Sequence, residues 1–346
     1  MKELAIAYPS PTLIYGHIIN PLLIVLSRDY TKDWFFDNFI QLCAPKDVFI
    51  YEEKDVEFLN FFPKYLCDTS YYLRSYNLTD EIMHIFPENI CELLIRWIDN
   101  DFYIQLYLDE GGIPGTHASL HNNHLLNEQL IYGYDDRACE FMFTSFDENM
   151  HHKKMKIKFD DVRRIFGSQI YKSLSRECKW PCIGNEYGIT LLRFNENVRF
   201  NPNPKHICEQ LVEYYNGENS ARHFLWFTDE KLQYNFGMDI YESIISWLAL
   251  HKNGEHIDIR VFYGLWDHKK IMIQRIDYLI QIKAIPNNGS IISQFNQVEK
   301  LSNTIRTVAL KYNLSHKENS IISLIRLIEE LRNAEKAALK ELIDAF

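Results

Sequence analysis

LYLDEGGIPGTHASLHNNHLLNEQLIYGYDD, residues 106–136, places two short apolar strands on either side of a glycine-broken polar loop, and its reading decides the fold. The first strand begins upstream as FYIQLYL over 102–108 and stops at Gly111–Gly112; the second, QLIYGY over 129–134, stops at Asp135–Asp136. Branched and aromatic side chains suit a pleated, half-buried surface, whereas glycine and aspartate end it. Glu140–Phe146 and Lys154–Phe159, the latter alternating as KMKIKF, add two strands in hairpin succession. An antiparallel sheet is expected.

Upstream, IINPLLIVLS (18–27) and WFFDNFIQL (34–42) read as buried helices, the second ended by Pro45 and closed by Cys43. Ile82–Asn100 carries Ile90, Leu93, Leu94 and Trp97 at helical spacing. Beyond Phe166 the pattern changes, with loops at 181–188 and 201–205 and then amphipathic periods. Pro204–Asn216 sets Ile207, Leu211, Val212 and Tyr215 on one side, and Ile240–Leu250 and Lys270–Ile282 behave alike. In Ile321–Phe346 the apolar face is Leu324, Ile328, Leu331 and Ala334, with Glu335 and Lys336 outside it. The expected class is α+β: helices packed on an antiparallel sheet over 1–175, then a mostly helical domain over 176–346, with the boundary between 170 and 185.

Composition narrows the function. A length of 346 residues with 47% hydrophobic content suits two cores rather than one. The net charge of -10 leaves no broad basic surface for a phosphate backbone, so nucleic acid is not an expected partner. Seven cysteines at irregular spacing, behind an N-terminus without signal-peptide features, point to a reducing cytoplasm. No apolar run approaches the roughly 20 residues of a membrane span. No membrane partner, cofactor or metal is expected.

Four stretches, WFFDNFIQL (34–42), YLDEGGIP (107–114), LIYGYDD (130–136) and LWDHKKIM (265–272), resemble the butirosin-biosynthesis protein H N-terminal-like family. That resemblance implies a papain-like domain of the bacteriocin-processing cysteine-peptidase type, here over 1–175, and a setting in bacterial natural-product biosynthesis. It also implies acyl transfer from a carrier-protein thioester to an amine. The family's base would lie six residues before Gly133, at Asn127, and its orienting acid on the next strand, nearest Asp147. Its nucleophilic cysteine would open the first helix, where the chain reads GHIINP over 16–21. Neither thiol nor imidazole occupies its slot. The dyad being absent, the chain is expected to be a pseudoenzyme that binds a carrier-tethered acyl or aminoacyl intermediate. The alternative is an acyltransferase working without a cysteine.

Other residues carry chemistry on their own terms. Asp109 and Glu110 end a strand at a loop, where they can bind an amine or carry a proton, or simply cap a turn. His117, His121 and His124 have spacings that specify zinc weakly, and in a Gly- and Asn-rich stretch they read as exposed loop histidines. If any of them acts, it is His124, three positions before Asn127. Asp109, Glu110, His124, Asn127 and Asp147 are therefore the candidate catalytic set. Tyr134, Asp258, Arg260 and His268 are candidates for substrate binding. For Asp258 and Arg260 an internal ion pair is the plainer reading. Cys178 and Cys182 take no role. The expected partners are a carrier protein or synthetase and a small-molecule amine.

Overall fold

The computed structural model describes residues 1–49, 57–63, 70–78, 89–177, 189–223, 234–251, 255–316 and 318–346. The first part of the helix expected over 82–100, the loop at 181–188, and Cys67, Cys178 and Cys182 lie outside them. In chain order the elements begin with β1 (Lys2–Glu3), α1 (Gly16–Val25), α2 (Lys32–Asn38), β2 (Gln41–Pro45), β3 (Asn60–Phe62) and β4 (Leu73–Leu78). Then come α3 (Ile90–Asp99), β5 (Tyr103–Asp109), α4 (His117–Leu120), β6 (Leu126–Asp135), β7 (Glu140–Phe146) and β8 (His152–Lys158). α5 (Phe159–Gly167), α6 (Gln169–Glu177), β9 (Ile189–Phe194), α7 (Pro204–Asn216) and β10 (Tyr234–Phe236) follow. The chain ends in α8 (Ile240–Leu250), α9 (Arg260–Gln281), α10 (Gly289–Ser315) and α11 (Glu318–Ile343).

Two compact units result, of α+β and mostly helical character. The first comprises residues 1–10, 15–29 and 65–198; the second comprises 11–14, 30–64 and 199–346. A single cut at 175 does not describe this division, because β9 completes the first unit's sheet and β2 and β3 belong with the C-terminal helices.

In the first unit a seven-stranded sheet runs β4-β9-β5-β6-β7-β8, with β1 added to β6, and every pairing is antiparallel. Alternation sends Ile104, Leu106 and Leu108 of β5, Phe141 and Phe143 of β7 and Ile157 of β8 to one face. There they meet α3, α5 and α6 through Leu94, Trp97, Val162, Ile165 and Tyr171. Asn89 starts α3 by accepting hydrogen bonds from the amides of Cys91 and Glu92. Each such buried aliphatic or aromatic residue contributes about 1.5–3 kcal/mol. On the opposite face lies α1, buried from Ile18 through Val25.

The second unit has a small antiparallel sheet, β10-β2-β3, and the long helices. Cys43, expected to close a helix, sits in the middle of β2 between Asn60 and Phe236. The apolar run after Asn38 is buried at every residue of the strand, a pattern in which helical and strand periods look the same. α9 starts ten residues earlier than expected for the same reason, since VFYGLW packs on more than one side. The expected placement of Glu335 outside the core face is wrong: the residue is fully buried, 2.5 Å from the equally buried Lys269. Tyr241 donates to the same carboxylate at 2.5 Å. Among the described residues, no helix is long and apolar enough to cross a membrane.

Candidate functional site

β5 ends at Asp109, and the chain turns at once into a short 3-10 turn over Glu110–Gly112. Asp109 caps that turn, its Oδ1 accepting from the Gly111 amide at 3.1 Å. Oδ2 accepts from His124 Nδ1 at 2.7 Å. The carboxylate is 3% exposed, while the histidine side chain is 30% exposed. Fixing the Nδ1 proton on a buried acceptor leaves Nε2 as the ring's basic nitrogen. The approach needs glycine: a Cβ on Gly111 would lie 2.5 Å from the Asn123 carbonyl oxygen and 2.9 Å from His124 Nδ1.

The second carboxylate stands beside the first. Glu110 is 7% exposed, and its Oε2 accepts from Asn127 Nδ2 at 3.4 Å. Burial pushes its carboxyl above the usual range; the Asn127 bond pulls it down and the Asp109 charge pushes it up. The segment is tied in place by backbone and side-chain bonds. The Glu110 amide donates to the Leu125 carbonyl at 2.9 Å, Thr116 Oγ1 donates to the Glu110 carbonyl at 2.9 Å, and Arg164 donates to the Gly112 carbonyl at 2.9 Å. Four of the five candidate catalytic residues thus come together.

Asp147 does not join them. It organises the β7–β8 turn, accepting from the Asn149 and His151 amides at 2.9 Å and pairing with Lys153. The Lys153 hydrogen bond and the His151 amide hold its carboxyl down to about 2. His117 and His121 lie on and just after α4, both exposed, with ring centroids 4.3 Å apart. Among the described residues, no group of three or more histidine, cysteine, aspartate or glutamate side chains could hold a metal ion.

The start of α1 differs from what the resemblance implies. Asn127 pairs with Leu108, whose side chain joins the core under α3 and α5, so Asn127 faces away from α1. Its neighbour Glu128 faces Gly16 instead, and a Cβ at Gly16 would lie 2.6 Å from Glu128 Oε2. Tyr107, opposite Glu128 in the ladder, donates its hydroxyl to that carboxylate. Any side chain at 16, a cysteine included, would need Glu128 to move. Between Asn127 and Gly133 the β6–β7 ladder shifts register, at Ile131/Gly133. Cys91 is no substitute nucleophile: its thiol donates to the Phe159 carbonyl, and burial pushes it up to about 11.

The candidate binding residues are dispersed. The Tyr134 hydroxyl donates to Asp99 at 2.8 Å. Arg260 donates through Nε to both Asp258 oxygens at 3.0 Å, the internal pair expected as the plainer reading. His268 is fully buried in the second unit, its Nε2 donating to the Ile40 carbonyl at 2.7 Å and its ring stacked on Tyr214. Burial, with the neighbouring Lys269 charge, pushes its imidazole well below the usual histidine range. A second aspartate–histidine pair, Asp37–His206 at 3.1 Å, closes the start of α7, where Asp37 also accepts from the Asn203 amide. Compared with known proteins, the chain matches no family model and no curated protein.

Proposed function

We propose that the first unit carries an acid–base site that moves an acyl group from a carrier-tethered thioester to an amine without a covalent enzyme intermediate. The observation that carries this reading is the 2.7 Å contact between buried Asp109 and half-exposed His124. A thioester is already an activated acyl donor, so positioning and a base suffice for aminolysis. The amine nitrogen attacks the thioester carbonyl and forms the C–N bond while His124 Nε2 takes its proton. The C–S bond breaks, and that proton passes to the departing thiolate. Glu110 is a second proton-carrying group beside the first. The thioester and amine come from the family resemblance, the proton chemistry from the side chains.

A pseudoenzyme that only binds the carrier-tethered intermediate is the second reading. It is favoured by Glu128, which fills the space a thiol nucleophile would need at Gly16. Carrier-protein thioesters offered with diamines and followed by intact mass separate the two. Transfer that disappears in Asp109→Ala and His124→Ala is the expected result. Tight carrier binding with no mass change across the panel would leave the binding reading alone.

A further inference from the structure

Beside Asn127, the face of the sheet that carries Leu106 and Leu108 buries polar groups that find no hydrogen-bond partner among the described residues. Gln129 is 0% exposed, and among the described residues neither its Oε1 nor its Nε2 has a hydrogen-bond partner; the Ser145 hydroxyl, in a residue 3% exposed, is likewise unpaired among them. β6 and β7 pair at Leu130 and Thr144, and one further step of that antiparallel register brings Gln129 across from Ser145. Alternation puts both on the side of Ile131 and Phe143. Asn127, two residues along β6 on that side, reaches Glu110. The segment between β5 and β6 lies over the same face: Ile113 is in its core, and a Cβ on Gly115 would touch Met155 at 3.7 Å.

An unpaired amide is less favourable to bury there than a hydrocarbon of similar shape, which carries no desolvation cost. Gln129 offers one acceptor and one donor side by side, and Ser145 adds a hydroxyl that can serve either way. A secondary amide presents the complementary pair. A carboxylate guest would be repelled by the nearby Asp109 and Glu110, and an ammonium would find no acidic partner in Gln129 or Ser145.

We infer that Gln129 and Ser145 form the inner end of the site and bind a secondary amide of the substrate. The guest's N–H would donate to Gln129 Oε1, and its carbonyl would accept from Gln129 Nε2. This rests on the proposed acyl-transfer reading, in which such amides occur both in a pantetheine arm and in an N-acylated aminoacyl group. Titrating the protein with pantetheine, and separately with N-acetylglycinamide, distinguishes the two sources. The readout is the side-chain amide resonance pair that Gln129→Leu deletes.

One probe is expected to shift that pair. Gln129→Leu is expected to melt higher than the parent protein yet bind the same probe at least tenfold more weakly, and Ser145→Ala to weaken it severalfold. A Gln129→Leu protein that melts higher and binds equally well would overturn the inference, as would resonances unmoved by both probes. Should Gln129→Leu fail to fold, Ser145→Ala with unaltered affinity overturns it equally. Either negative result leaves the acid–base reading to the Asp109 and His124 variants, which are judged by transfer and not by this binding.

Discussion

A carboxylate as deeply buried as Asp109 is tolerated only where donors surround it, and the Gly111 amide and His124 ring supply them. His152 shows the opposite economy of charge. It is largely buried, its Nδ1 has no partner among the described residues, and its ring stacks on Tyr8. Burial lowers its pKa to about 4. Unfolded, the imidazole takes up a proton near 6.5. Between those values the unfolded chain binds the extra proton, so stability is full above about 6.5, falls as the pH drops towards 4, and stays lost below. The total is about 3 kcal/mol. Urea unfolding at stepped pH should show this acid loss, and His152→Phe should remove most of it; an unchanged pH dependence would place the lability elsewhere. Asp109 and Glu110 were legible in the sequence because a strand end followed by a glycine pair puts side chains at a loop, whereas Asn127 came from the family resemblance and His124 from its nearness to Asn127. Glu128 and Gln129 were not. Which face each occupies is set by pairing with Tyr107 and Leu106 of β5, a register that no residue pattern announces.

At the scale of elements, β5, β6, β7 and β8 follow their residue patterns closely, as does α8. The apolar stretch from Phe39 to Pro45 did not declare itself, because a strand covered on both faces lacks the alternation that distinguishes it from a buried helix. The β5–β6 connection is the element on which the site depends. Gly111→Ala would force a methyl group against the Asn123 carbonyl and His124 ring, backbone on one side and a functional side chain on the other. The expected cost is about 1–3 kcal/mol of stability, with transfer activity falling further than the folded fraction does. A crystal structure of the variant with the Asp109–His124 contact intact would contradict that.

At the scale of the whole molecule, two units of different character share one chain, each closed by chain segments from distant parts of the sequence. The second is organised around Lys269 and Glu335, both fully buried and surrounded by Tyr214, Tyr241 and His268. Partners on separate helices made this pair invisible to a reading of α11 alone, where Glu335 takes the place of an ordinary surface acid. Glu335→Leu alone strands an ammonium in the core and should cost about 3–5 kcal/mol, whereas Lys269→Met with Glu335→Leu should recover most of it. Chemical unfolding of the single and double variants checks this; a double variant no better than the single one would count against it. The most direct test of the proposed chemistry is the single-turnover rate of acyl transfer from a carrier thioester to an amine in His124→Gly, with and without added imidazole. A loss of about 10²–10⁴-fold, partly restored by imidazole in a protein that melts normally, is the expected result. A rate equal to that of the unaltered chain would contradict the assignment of His124 as the base.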